Sequence, residues 1–241
     1  MEIKKLPHIN PSETIVWFDF EGVLCEKNIL YYLFSYKPAL ALTSIFRGFV
    51  KAFCKKIQNH EKSFIEELIK ECKSSYERDM DEKNLFNFGK FIFKNQSEKH
   101  KMDLIDLFYD SKEKYHDMYI ITGANKKIVK GFLSCFPADI NLKGENIYAS
   151  EFKFINNEEK AQIVKYIKKN TNKKIIGIGD SKQDEKALEE SDVRCVISSL
   201  AYKLMPTNAG NYKFKDLNSV KRFLSLINLA YEFYTLELIN T

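Results

Sequence analysis

The chain has 241 residues, 44% hydrophobic and 14% aromatic, with only 9 Gly and 5 Pro. That is core material for one large domain or a domain with an insertion, and it excludes a disordered, collagen-like or stapled small protein. The 38 basic residues against 33 acidic ones leave +5 spread along the chain, nearly all of it lysine. Such a surplus favours anionic substrates without amounting to a nucleic-acid signature.

Taken in chain order, Thr14–Phe18 is a compact apolar run of strand type, closed by Asp19. Continuous apolarity over so few residues predicts a strand buried on both faces of a parallel sheet. From 28 to about 96 the texture turns helical. Leu42, Ile45, Phe46, Phe49, Phe53 and Ile57 recur at steps of three and four, as do Phe64, Ile65, Leu68, Ile69 and Cys72. Three to five helices with apolar packing faces are expected there.

From 97 onward helices and strands alternate. A helix carrying Met102, Ile105 and Phe108 precedes a strand at 118–121, and a helix with Ile128, Val129 and Phe132 on one face follows. Short extended pieces are expected over 138–149, a helix over 157–169, a strand over 174–178 and a helix over 182–190. A strand at 193–197 and a terminal helix over 220–236 complete the series. Alternation of this kind predicts an α/β fold with a doubly wound parallel sheet covered on both faces. The helical block is then an insertion after the first strand, so 1–24 and 97–241 form the core and 25–96 a cap.

In open parallel sheets chemistry gathers at the carboxyl ends of the strands. Here the first strand runs into Asp19-Phe20-Glu21-Gly22-Val23-Leu24, the next into Thr122-Gly123, and a later one into Gly179-Asp180 with Asp184 four residues on. Singly, each reads as well as a turn, a helix cap or loop punctuation. As an ordered set they resemble the motifs of the haloacid dehalogenase-like hydrolase superfamily. Lys160, opening the helix before the strand at 174–178, sits where that family's lysine is expected. The helical insertion resembles the cap of the phosphoserine phosphatase-like subgroup.

The resemblance implies an Mg²⁺-dependent phosphatase of a small phosphorylated metabolite. Asp19 would be the nucleophile and Glu21 the acid and base. Asp19, Asp180 and the backbone carbonyl of Glu21 would hold the ion. Asp184 would hold a metal-bound water or orient Lys160. Thr122 and the Gly123 amide would bind a phosphate oxygen, and Lys160 would steady nucleophile and phosphate. Lys143 and Lys153 compete for the lysine role, but only Lys160 opens a helix.

Most members carry Asp where this chain has Glu21. Residues 19 and 21 leave an extended segment on the same side, so the role survives with an arm one methylene longer. Arg47 interrupts an apolar helix face, either as a ligand for an acidic substrate group or as a snorkelling side chain. The resemblance implies an acid shortly after the first motif for a substrate amino group; Glu26 lies near that place and Asn28 stands close to it, and Arg78 is the other arginine of the cap. Tyr31, Tyr32 and Phe34 either line the substrate pocket or pack cap against core.

Other readings remain open: transfer of the phosphoryl group to another alcohol, and a non-catalytic interaction protein on a degenerate scaffold. A receiver domain fails on the long insertion and the late acidic motif. Cys25, Cys54, Cys72, Cys135 and Cys195 are odd in number and form no CxxC pair, unlike a disulfide framework or zinc site. Residues 1–11 hold no apolar secretory core, and Lys37, Pro38, Arg47 and Lys51 break the greasiest stretch too soon for stable membrane insertion. A reduced, cytoplasmic protein with no nucleic-acid partner is the expectation.

Overall fold

The computed structural model describes residues 9–58, 64–140, 144–151, 154–197 and 212–239, together with Pro7 and Leu142. The strands are β1 Thr14–Phe18, β2 Asp117–Asn125, β3 Ile147–Ser150, β4 Lys174–Gly179, β5 Val193–Ile197 and β6 Tyr212–Phe214. They form one parallel sheet in the order β3-β2-β1-β4-β5-β6. The chain winds outward from β1 on one side, then returns past it to wind outward on the other. The reversal falls between β1 and β4, where a crevice opens at the carboxyl edge.

Every residue of β1 is buried. Ile15 and Trp17 face a cluster with Val164 and Ile167 of α7 (Asn157–Thr171) and Leu188 of α8 (Glu185–Glu189). Val16 and Phe18 face the larger cluster. It contains Phe108 of α5 (Glu98–Lys114), Phe132 of α6 (Lys126–Leu133) and Phe223 of α9 (Leu217–Ile239). Period-two alternation thus serves two cores, which is why the strand is apolar throughout.

Among the described residues four helices stand between β1 and α5: α1 Ile29–Tyr36, α2 Pro38–Gln58, α3 Phe64–Asp79 and α4 Glu82–Lys94. They do not behave alike. α4 is anchored on α6, crossing where a Cβ on Gly89 would lie 2.0 Å from the Ile128 carbonyl oxygen and one on Gly131 1.9 Å from that of Phe86. Phe88, Ile92 and Phe93 of α4 belong to the main core, with Phe93 edge-on to Phe132 at 5.3 Å between centroids.

α2 packs along α3, but not through the face its periodicity implied. Its inward residues are Ala41, Ser44, Gly48 and Ala52, all buried, with Gly48 against Cys72. Leu42, Phe46 and Phe53 point outward, Phe46 being 70% exposed, while Phe49 is half-exposed and edge-on to Phe64 of α3 at 5.7 Å between centroids. Small side chains let the helix axes approach closely, and a row of ion pairs seals the seam. Lys55 reaches Glu67 at 2.6 Å and Glu71 at 2.5 Å, Lys51 reaches Glu71 at 3.4 Å, and Arg47 pairs with Asp79.

Three smaller expectations change. The stretch 138–149 is mainly two 3-10 turns, Ala138–Ile140 and Gly144–Asn146, leading into β3. The helix of 182–190 begins with a 3-10 turn at Lys182–Asp184, because Asp184 bonds back to the loop before it. β6 had no sequence signal, since three residues cannot display a period. Among the described residues no helix is long and apolar enough to cross a membrane.

Candidate active site

Three strand ends meet at the crevice. In the parallel register Phe18 lies opposite Ile120 of β2 and Ile178 of β4, so Asp19 emerges between Thr122 and Asp180. The Asp19 amide donates to the Ile178 carbonyl at 2.9 Å, which extends the ladder by one residue and fixes the carboxylate at the sheet's edge. Beyond it the chain turns rather than continuing extended. Phe20 is buried in the main core, and the Cys25 amide donates to its carbonyl at 2.7 Å. Gly22 sits at φ +79°, and a Cβ there would overlap the Asp180 carboxylate at 1.9 Å. Only glycine allows this loop to lie on Asp180.

Lys160 reaches the edge from the first turn of α7. Asn156 and Glu159 close a reciprocal capping box there, and the Lys160 side chain runs inward, 2% exposed. Its Nζ donates to Asp19 Oδ1 at 2.8 Å and to Asp184 Oδ1 at 2.6 Å. Burial alone would push that ammonium down, but Asp184 and Asp19 outweigh it and hold it above its usual value. Lys143 and Lys153, the rivals for this position, lie outside the described residues.

Asp184 is fully buried, and both its oxygens are occupied. Oδ1 holds Lys160, and Oδ2 accepts from the amides of Asp180 and Ser181, each at 3.2 Å, and from the Ser181 hydroxyl at 3.1 Å. It therefore shapes the loop and aims Lys160. Asp19 and Asp180 line the crevice.

Three carboxylates here share the Lys160 charge. Burial first, then Asp184, with Lys160 opposing, pushes Asp19 up to about 6. Burial, Asp184 and Asp19 push Asp180 up to about 9. Carboxyl oxygens of Asp19, Asp180 and Asp184 lie within 4.8 Å of one another. Among the described residues no N–H donates to the Glu21 carbonyl beside them. A crowded all-oxygen set short of positive charge fits a hard divalent cation such as Mg²⁺.

Thr122 and Gly123 form the next wall. The Thr122 hydroxyl accepts the Ala124 amide at 3.1 Å and so turns toward the loop, and the Gly123 carbonyl accepts from Ser150 at 3.0 Å. Asp19, Glu21, Thr122, Gly123, Lys160 and Asp180 line one cleft of about 700 Å³.

Other expected residues fall elsewhere. Arg47 lines no part of the cleft: it sits on the α2–α3 seam, paired with Asp79. The ion pair explains the interruption of the apolar face, and neither substrate contact nor snorkelling is needed. Arg78 is exposed along a neighbouring groove of about 860 Å³. Glu26 borders the cleft but accepts from the Ser97 amide at 3.0 Å. Tyr31 and Phe34 are exposed outside the cleft, whereas Tyr32 is buried in the core. The Cys25 thiol is buried, and burial holds it well above its usual value.

Among the cleft residues without a sequence signal, one touches Glu21. Lys73 of α3 is 4% exposed and pairs with the Glu21 carboxylate. Nothing in the local sequence separates it from Lys70, three residues earlier, whose side chain is 43% exposed.

No family model matches the sequence, and comparison with curated proteins finds no match either. Solved structures do match. A phosphoserine phosphatase from T. onnurineus aligns over 89% of this chain and 96% of its own, at 14% identity and TM-score 0.54. A phosphoserine phosphohydrolase-like protein from Francisella tularensis aligns over 88% and 99%, at 17% and 0.55. A HAD family hydrolase from Salmonella enterica aligns over 92% and 74%, at 14% and 0.54. The chain thus shares the fold of these solved structures.

Proposed function

We propose that the chain is an Mg²⁺-dependent phosphatase of small phosphate monoesters, working through an aspartyl-phosphate on Asp19. The observation that carries this reading is Lys160, a buried ammonium held between Asp19 and Asp184 at the carboxyl edge of the sheet. A buried lysine spanning two acids costs desolvation, and a structural role alone explains it poorly. Asp19 and Asp180, with the Glu21 carbonyl, would hold the ion, which when bound neutralises phosphate oxygens and nucleophile alike.

The rest follows from the chain's own groups. Lys160 fixes Asp19 Oδ1, so the other oxygen is the one presented for in-line attack on phosphorus. As that O–P bond forms, the ester P–O bond breaks, and the departing alkoxide takes a proton from Glu21. The Thr122 hydroxyl and Gly123 amide hold a phosphate oxygen. Glu21, now a carboxylate, takes a proton from the water that attacks the aspartyl-phosphate, releasing phosphate and restoring Asp19. Residues 25–96 act as the cap over 1–24 and 97–241, with α4 fixed to α6 and the α2–α3 hairpin overhanging the crevice.

The test is hydrolysis of a panel of phosphate monoesters, phosphoserine included, with Mg²⁺ and with chelator. Turnover abolished by chelation and by Asp19→Asn, with phosphate trapped on Asp19 in the parent, is expected. Equal rates with chelator, or an active Asp19→Asn, would overturn the mechanism.

A further inference from the structure

Glu21 departs from the shorter acid common at its position, and the structure surrounds its carboxylate with three donors. Oε1 accepts from Nζ of Lys73, while Oε2 accepts from Asn28 Nδ2 at 2.7 Å and from the Ile29 amide at 3.4 Å. Asn28 is also the N-cap of α1, its Oδ1 accepting the Leu30 amide at 2.9 Å. Two helices therefore hold this side chain, one on each oxygen.

Lys73 is unlike its neighbours on the hairpin. The side chains of Arg47, Lys51, Lys55 and Lys70 are 43–50% exposed, whereas that of Lys73 is 5% exposed. Its ammonium lies 5.4 Å from the centre of the Phe154 ring, which in turn rests on Gly123. Glu77, one turn on in α3, takes the Asn125 amide at 3.3 Å, and Lys73 is directed to Glu21 instead. A buried ion pair adds little stability over apolar packing but fixes geometry. What it fixes here is the end of a flexible four-atom arm beside the nucleophile.

We infer that Lys73, with Asn28 opposite it, is a positioning residue for Glu21. The clamp from α3 and α1 holds this acid, and it ties the overhanging hairpin to proton transfer. Lys73 acts through Glu21 and takes no bond-making part. This inference rests on the proposed phosphatase reaction and on Glu21 as its acid and base.

The experiment compares an alkyl phosphate, whose leaving group needs a proton, with p-nitrophenyl phosphate, whose leaving group does not. Lys73→Met should lower kcat on the alkyl ester by roughly ten- to a hundredfold, part of what acid–base catalysis supplies. KM and the nitrophenol burst should change little. Lys73→Arg should recover much of the loss, and in a Glu21→Gln background Lys73→Met should cost nothing further. A nitrophenol burst slowed as much as the alkyl rate, an undiminished alkyl rate, or full additivity with Glu21→Gln would overturn the clamp. Should Lys73→Met fail to fold, Asn28→Ser, which keeps a capping side chain, must show the same loss on the alkyl ester with the nitrophenol burst retained, or the inference falls. A parent chain inert toward every monoester removes the reaction and the clamp together, whereas an active parent with unaffected variants removes the clamp alone.

Discussion

β1 and α2 are both rich in apolar residues, yet the fold uses them in opposite ways. All five residues of β1 are buried, because a central parallel strand has a core on each face. In α2 most of the large apolar residues share one face, and Leu42, Phe46 and Phe53 point outward while Ala41, Ser44, Gly48 and Ala52 are buried, Gly48 against Cys72 of α3. Periodicity tells which side chains lie together. It does not tell which side of the helix is covered, since small residues permit the closer approach.

The comparison is broken most severely at the end of β1. Asp19→Asn should reduce monoester turnover by more than about a thousandfold, as loss of a covalent nucleophile does, and Lys160→Met by a similar factor. Steady-state kinetics and the unchanged far-UV signal of a folded protein check both. Either variant retaining parent turnover would mean that the charges at the strand end are structural.

A second contrast is energetic. Phe18→Ala in β1 should cost about 3–5 kcal/mol by denaturant titration, since it leaves a cavity against Phe108. Phe46→Ala in α2, removing an equal volume from an exposed face, should stay within about 0.5 kcal/mol. Comparable losses would show that the outer face of α2 is covered in solution.

Metal linkage sharpens the picture of the crevice. Mg²⁺ at a hundred times its Kd should stabilise the parent by about 2.7 kcal/mol, seen as a rise in Tm. Asp180→Asn should abolish that rise while itself stabilising the metal-free chain, because it removes one of three crowded acids. A rise that survives Asp180→Asn would place the ion elsewhere. The smallest effect belongs to the seam of α2 and α3: Arg47→Ala, breaking a half-exposed pair with Asp79, should cost less than about 1 kcal/mol and leave turnover unchanged.

Much of the fold could be read from the chain. β1 and β5 have the bounds that apolar runs imply, and the alternation after residue 97 leads to the parallel sheet. β6 could not be read, being three residues long, nor could the 3-10 turns before β3, whose bonds are made locally. Within the crevice Asp19 and Asp180 were legible because each directly follows a strand, and Thr122 because it follows the apolar run of β2. Lys73 was not, because a lysine on a polar helix looks the same whether it faces water or a carboxylate.

The sequence by itself determined what is local or periodic: the strands, the helices, the order of the strand-end residues and the stock of candidate side chains. Only the tertiary structure decided what depends on two distant segments meeting. It placed Lys160 between Asp19 and Asp184, 141 and 24 residues away. It turned Arg47 to Asp79 instead of the crevice, and brought Lys73 across 52 residues to Glu21. Charge attraction and packing act through space, so separation along the chain conceals them until the sheet closes and the helices settle on it.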